Sequence, residues 1–315
     1  MKKKLDKYSE TLFHLINFRC EQYRDSKSMI GIDYDSFMIV SCIGAHYLKN
    51  NTEDGSTWDS VWESTRSKRI DKHFNSKKLT IFAVSNIMNL PKETVRRKVL
   101  ELEKLGVLKR TKKQIIIDRS VFPSVKPERQ IALTSKYVHL VSRIFNKDKI
   151  FYKNTDSKYI ESVIKKNFSL CWRWFYRMQI PMIIGYHDLF EDLATFHLWG
   201  TVAMNQAFNY KKDLNTLNVS SLTPDYMEFN KGVIEGTGGS MGISAMSISE
   251  MTNIPRATVI RKCKYLVKNS FLQLNDKKQY TLTGYNSSRV LPYQKKIFKN
   301  KAKFLRKTLN LLTIS

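Results

Sequence analysis

The chain has 315 residues and a mass of 36.9 kDa, with 42% hydrophobic and 12% aromatic residues but only 12 Gly and 7 Pro. That composition excludes wholesale disorder and fibrous repeats and suits two modest domains, each able to bury a core. Lys and Arg outnumber Asp and Glu by 54 to 28, a formal net charge of +26, which points to a polyanionic partner.

Nothing in the chain reads as a signal or membrane segment. Asp6, Lys7 and Glu10 interrupt the stretch after Met1-Lys2-Lys3-Lys4, so no secretory h-region forms. The longest nearly apolar run, Phe37 to Leu48, falls short of the roughly 20 residues a membrane helix needs. Cys20, Cys42, Cys171 and Cys263 are scattered without a CxxC pair, which argues against a disulfide framework or zinc knuckle. The expectation is a cytoplasmic, nucleoid-associated protein with no membrane role.

The charge sits in two blocks. Residues 65–119 carry 16 Lys and Arg against 5 Asp and Glu, and residues 256–315 carry 15 against 1, leaving a net charge of +1 on the other 200 residues. Each block contains one copy of an internal repeat. Residues 85–109, SNIMNLPKETVRRKVLELEKLGVLK, align without gaps at an offset of 164 with residues 249–273, SEMTNIPRATVIRKCKYLVKNSFLQ, and 10 of the 25 positions are identical. The expected division is therefore residues 1–150 for the first half, with its motif at about 80–119, and 151–315 for the second, with its motif at about 244–283.

In chain order, helices are predicted over Asp6 to Tyr23 and over Ser36 to Asn50 around Gly44. A polar insertion, Asn51 to Lys78, follows and carries Trp58, Trp62, Arg66, Lys68 and Arg69. A short helix is predicted from Ala83 to Met88, a turn at Asn89-Leu90-Pro91, and a longer helix to about Leu105. Val95, Val99, Leu102 and Gly106 recur at spacings of 4, 3 and 4 on its inward face, while Lys92, Glu93, Arg96 and Arg97 point outward. Gly106 stops that helix. Strand-like Val107-Leu108 and Ile115 to Ile117 then flank the charged loop Lys109-Arg110-Thr111-Lys112-Lys113, a basic hairpin.

Helices over Ser135 to Phe145, Ser157 to Met178 and Glu191 to Phe208 around Gly200 lead to a second polar insertion, Lys211 to Gly242. Its GTGGSMG lacks both the Walker lysine and the Rossmann spacing and reads as a flexible loop. Ser247-Ile248-Ser249-Glu250 is read as a capping box opening the second short helix. Val259, Cys263, Leu266 and Ser270 fill the inward positions of the longer helix. Phe271 to Leu274 and Gln279 to Leu282 flank Asn275-Asp276-Lys277-Lys278. A final helix from Tyr293 to Leu312 has a seam of Phe298, Ala302, Leu305, Leu309 and Leu312, with Lys295, Lys296, Lys299, Lys301, Lys303, Arg306 and Lys307 over the rest.

NLPKETVRRKVLELEKLGVLKR resembles the core of bacterial winged helix-turn-helix transcription regulators of the cyclic-AMP-receptor, GntR and MarR types. The resemblance covers about 40 residues in each copy. It implies a mainly α fold with small β-hairpin wings, in tandem copies, whose longer helix enters the DNA major groove while the wing contacts backbone. Carried over, it makes Lys92, Thr94, Arg96, Arg97 and Lys98, with Lys109, Arg110, Lys112 and Lys113 of the wing, the DNA-binding residues of the first copy. Arg256, Thr258, Arg261, Lys262, Lys277 and Lys278 take that role in the second. Ile260 stands where Arg96 stands and lacks the fork that grips guanine.

No catalytic constellation accompanies the repeat. His187, Asp188, Glu191, Asp192 and His197 cluster in sequence but match no HExxH or comparable ligand spacing, and there is no GxSxG, Walker motif or paired HxH. The reading is a non-enzymatic, sequence-specific duplex-DNA-binding transcriptional regulator with no metal or cofactor. RNA polymerase is a further partner, and the protein acts as a one-chain pseudo-dimer or a homodimer. A plasmid- or phage-type replication initiator and a non-specific nucleoid or RNA-binding protein are the alternatives.

Overall fold

A computed structural model of the protein describes residues 14–15, 17–25, 31–51, 55–64, 78–111, 114–117, 128–147, 151, 156–216, 242–283 and 290–315. Helices dominate, and two small antiparallel hairpins are the strands of the described residues. In chain order the elements are α1 (Tyr34–Asn51), α2 (Trp58–Ser64), α3 (Ile81–Met88), α4 (Lys92–Lys104), β1 (Leu108–Arg110), β2 (Ile115–Ile117), α5 (Glu128–Lys147) and α6 (Ser157–Lys166). They continue with α7 (Phe168–Phe190), α8 (Leu193–Thr216), α9 (Ala245–Thr252), α10 (Arg256–Lys268), β3 (Leu272–Leu274), β4 (Tyr280–Leu282) and α11 (Leu291–Ile314). Among the described residues, no helix is long and apolar enough to cross a membrane.

The chain forms two compact units that do not follow the expected division near residue 150. One comprises Asp25–Gly185 and Lys295–Ser315 and holds the first repeat; the other comprises Met1–Arg24 and Tyr186–Gln294 and holds the second. Aromatic packing explains why residues beyond 150 join the first unit. Phe168 meets Trp58 edge-on at 4.7 Å, Trp172 stacks on Phe168 at 5.1 Å, and Phe175 lies 5.9 Å from Phe304. Each such ring buries a large apolar area.

In the first-repeat unit α1 packs against α3, α4 and β2. Arg173 closes its C-terminal end, donating from Nε and Nη2 to the Leu48 carbonyl at 3.0 and 2.8 Å, one of the carbonyls a helix end leaves without an internal partner. Gly44 in the middle of α1 makes room for Tyr176, because a Cβ there would stand 2.7 Å from the tyrosine hydroxyl oxygen and push that side chain aside. The second-repeat unit repeats this plan, with α8 packed against α9, α10 and β4. Phe190 and Phe271 meet at 4.9 Å in its core.

The short helices begin at different residues from those expected. Thr80 caps α3 by accepting the Ala83 N–H, and Ser244 caps α9 by accepting the Ser247 N–H, each at 3.1 Å. The capping box expected at Ser247 is thus displaced, since Ser247 lies inside the first turn of a helix capped three residues earlier. The helix expected to run from Ser157 to Met178 breaks at Asn167, outside the helical region at φ −117° and ψ 39°, and resumes through Pro181 to Phe190.

In α11 the buried face turns slightly from the expected seam. Ile297, Phe298, Phe304, Leu305, Leu309 and Leu312 are buried as their apolarity demands, but Lys301 is buried with them and Ala302 faces solvent. The Lys301 ammonium lies 4.9 Å from the Phe298 ring centroid, and burial pulls its pKa down to about 7.

Candidate nucleic-acid interface

Each repeat builds the same frame from equivalent residues. Asn89 and Asn253 end the short helices in the left-handed region, at φ 52° and 54°, where Asn is tolerated better than most side chains. Pro91 and Pro255 open the longer helices with nearly identical backbone angles. Ser85 Oγ donates to the Leu90 carbonyl at 2.6 Å, and Ser249 Oγ to that of Ile254 at 2.7 Å, so a side chain of the short helix pins the turn in both copies. After the longer helices, Gly106 and Ser270 both take positive φ, 69° and 59°.

The hairpins follow with the same antiparallel pairing, the second shifted by one residue because its loop is one residue longer. Leu108 pairs with Ile117 and Arg110 with Ile115, while Leu272 pairs with Leu282 and Leu274 with Tyr280. A residue ahead of each short helix adds a partial third strand: the Ile115 N–H donates to the Leu79 carbonyl at 2.8 Å, and Ile243 bridges Tyr280 through bonds of 3.1 and 2.9 Å. Gly242 admits that bridge, because a Cβ there would lie 2.6 Å from Gln279 Cβ.

The longer helices bury one face and expose another. Val95, Val99 and Leu102 on α4, and Val259, Cys263 and Leu266 on α10, are wholly excluded from solvent. Burying three such side chains stabilises each helix by up to roughly 5–9 kcal/mol against leaving them exposed. Lys92, Arg96 and Arg97 lie exposed on α4, as do Arg256 and Arg261 on α10, with Thr94 and Thr258 half-buried.

Lys98 and Lys262, expected among the DNA-facing cations, turn inward instead. Lys98 Nζ lies 2.5 Å from Asp33 Oδ2 and 2.9 Å from Glu101 Oε2. Lys262 Nζ lies 2.5 Å from Asp192 Oδ2 and 3.1 Å from Thr195 Oγ1. Both aspartates are helix N-caps, Asp33 accepting the Ser36 N–H at 2.9 Å ahead of α1 and Asp192 accepting the Thr195 N–H at 2.7 Å ahead of α8. Thus, in each repeat, the carboxylate that caps the first helix also holds a lysine of the longer helix. Positions 95, 98, 99 and 102 share the inward face at spacings of 3, 1 and 3, so the ammonium turns to this carboxylate rather than to solvent. Partial burial pushes the Asp33 carboxyl up, but hydrogen bonds from Lys98 and Ser36 outweigh it and hold the pKa below the ordinary aspartate range. Burial likewise pulls Lys98 down, and its bonds to Asp33 and Glu101 carry it above the ordinary lysine value.

The outward faces differ between copies. Arg96 forms a fork with Glu93, through contacts of 2.7 to 3.1 Å, and the Arg96 hydrogen bond lowers the Glu93 pKa. Ala257 and Ile260 occupy those positions in α10. In the first hairpin Arg110 is held by Glu103, Nε to Oε2 at 2.7 Å, while Lys109 is exposed; Lys112 and Lys113 lie outside the described residues. In the second hairpin Lys277 and Lys278 are exposed, and Lys278 takes φ 54° in a tight turn closed by its N–H donating to the Asn275 carbonyl at 2.9 Å. Arg66, Lys68, Arg69 and the Gly-rich stretch up to residue 241 also lie outside the described residues.

Sequence reasoning missed Asp33, weighed Asp192 only as part of an acidic and histidine cluster, and missed four exposed apolar side chains on the short helices. Phe82 and Ile87 on α3 are 61% and 45% exposed, and Met246 and Met251, at the equivalent positions of α9, 54% and 41%. The two aspartates lie 159 residues apart, so the offset of 164 does not pair them, while it does pair Phe82 with Met246 and Ile87 with Met251. The acidic and histidine cluster of residues 187–197 does not assemble as a metal site: Asp192 holds Lys262, and His197 is buried against Tyr23 with ring centroids 5.3 Å apart. Among the described residues no three His, Cys, Asp or Glu side chains gather as metal ligands. Comparisons with protein-family profiles, curated proteins and solved structures found no match.

Proposed function

We propose that the protein is a sequence-specific duplex-DNA-binding transcriptional regulator whose two repeats are tandem winged helix-turn-helix domains. The observation that carries this reading is the division of labour among the cations of the longer helices. Lys98 and Lys262 are tied to the scaffold, whereas Lys92, Arg97, Arg256 and Arg261 stand exposed on helices whose opposite faces are buried. A helix fixed in this way and bearing exposed Arg and Lys on its outer face has the chemistry needed to enter a major groove and bond base edges and phosphates.

Regulation follows from occupancy of a promoter, which blocks or recruits RNA polymerase. One chain supplies two reading helices with different outward residues, so its preferred site has two unlike halves. Selection of bound sequences from random duplex DNA tests the proposal, combined with mass measurement of the complex. The expected result is a bipartite, non-palindromic motif bound by one chain. Selection that yields no motif overturns sequence specificity, and a motif found only as repeats at a replication origin overturns the transcriptional role.

A further inference from the structure

We infer that the exposed face of α11 is a second duplex-binding surface, one that grips phosphates without reading bases. This surface is separate from the reading helices, because α11 lies outside both repeats. From Lys295 onward it belongs to the first-repeat unit.

The 24 residues of α11 contain seven Lys and Arg and no Asp or Glu. Lys296, Lys299, Lys303, Arg306 and Lys307 are exposed, and among the described residues none of these five is paired with a carboxylate. Spacings of 3, 4 and 3 from Lys296 to Arg306 draw a stripe about 15 Å long at 1.5 Å per residue. Like charges three and four residues apart repel. A helix that merely faces water relieves such repulsion with glutamates at those spacings, and α11 has none. Its uncompensated charge matches a partner that supplies a row of anions.

A duplex backbone is such a partner, and the packing of α11 selects it over a lipid surface. The apolar residues Ile297, Phe298, Phe304, Leu305 and Leu309 are already buried within the protein, and Ile314 at the helix end is the one large apolar side chain exposed among the described residues of α11, too little to form an apolar face that enters a bilayer. Lys307 lies over the ring of Trp174 with its nitrogen 5.4 Å from the centroid, so one end of the stripe is held against the scaffold.

The test uses the full chain with Lys299, Lys303, Arg306 and Lys307 all changed to Gln, and a control with K299R, K303R, R306K and K307R that keeps the charge. Binding to random duplex is measured from about 50 to 200 mM salt. The slope of log K against log salt should flatten by roughly 0.9 for each phosphate that the Gln variant no longer neutralises, while the control keeps the wild-type slope. The ratio of affinities for a selected site and random duplex should stay within about threefold of wild type. An unchanged slope in the Gln variant overturns the inference. So does loss of binding to phosphatidylserine vesicles with duplex binding intact, which would make the stripe a lipid-binding face. Arg97→Ala and Arg261→Ala separate this result from the winged-helix reading: if neither alters any duplex affinity while the Gln variant still flattens the slope, that reading fails and the stripe stands.

Discussion

Lys98 Nζ lies 2.5 Å from Oδ2 of Asp33, and the same bond joins Lys262 to Asp192 in the other repeat. The longer helix is thereby tied to the first residue of a helix far upstream, by a carboxylate that already caps that helix. Asp33→Ala removes a cap and leaves a largely buried ammonium short of a partner, a loss of about 1–2 kcal/mol once the half-exposed state of Asp33 is allowed for. Urea denaturation should show that loss, and the salt slope of duplex binding should not change. A flatter slope for Lys98→Met would return Lys98 to the phosphate-binding set.

The same pair sets a pH window. Because the folded pKa of Asp33 lies below its unfolded value, its contribution is present above about pH 4 and disappears as the pH falls through the depressed value. Lys98 is raised, so its contribution is lost as the pH climbs through the folded lysine value. The stability difference between wild type and Asp33→Asn should therefore shrink below about pH 4. A difference that stays constant down to pH 2 would show that the pair contributes no ionic stabilisation.

Gly106 and Ser270 occupy the same left-handed position after their helices, at φ 69° and 59°. A Cβ is disfavoured there, so Ser270→Gly should raise the stability of its unit by about 0.5–1 kcal/mol despite the extra freedom it gives the unfolded chain. Gly106→Ala should lower stability by a similar or larger amount. Thermal unfolding of both variants checks the pair, and a destabilised Ser270→Gly would contradict the strain argument.

Arg96 is held by Glu93, whereas Ile260 and Ala257 stand in their places on α10. Glu93→Ala frees the guanidinium and removes a carboxylate from the outer face, so affinity for random duplex should rise and the salt slope should steepen by up to about 0.9. Arg96→Ile should cost about 1–3 kcal/mol on a selected site if Arg96 reads guanine, and selection with that variant should shift one half-site toward thymine. A selected motif that does not move would make Arg96 a backbone contact.

Lys301 is buried in α11, and its folded pKa is pulled down to about 7, far below that of a free lysine. Between about pH 7 and pH 10 the unfolded chain holds a proton that the folded chain has released, so this side chain makes stability rise with pH and imposes its full penalty below pH 7. Lys301→Met should therefore be more stable than wild type at pH 7. Its advantage should shrink by at most about 1.4 kcal/mol per pH unit toward pH 9. Equal advantages at the two pH values would show that Lys301 does not titrate there.

Much of each repeat was legible because local chemistry dictates it. Pro91 and Pro255 mark helix starts, Val95, Val99 and Leu102 fix the inward face, and the Ile115 to Ile117 run forms its strand. The position of Lys98 was legible too, since it shares that inward face, but its partner lies 65 residues upstream and no periodicity reports a contact at that range. In α11 hydropathy favoured Ala302 over Lys301 for the interior. The buried face is centred between the two possible seams, and Ala302 falls at its edge. The unit boundary was hidden for a similar reason: the rings of Phe168, Trp172 and Phe175 read as a helix core in sequence, and the packing of Phe175 against Phe304 joins segments at opposite ends of the unit.

The two aspartate–lysine bonds close loops of 65 and 70 residues, and each loop contains one polar insertion. Loop-closure entropy grows only logarithmically, so doubling either loop costs about 0.6 kcal/mol, less than the bond itself is worth. Chain added between either aspartate and its lysine therefore costs less than the bond that fixes the helix carrying Arg97 or Arg261, provided that in the first loop Trp58 keeps its place against Phe168.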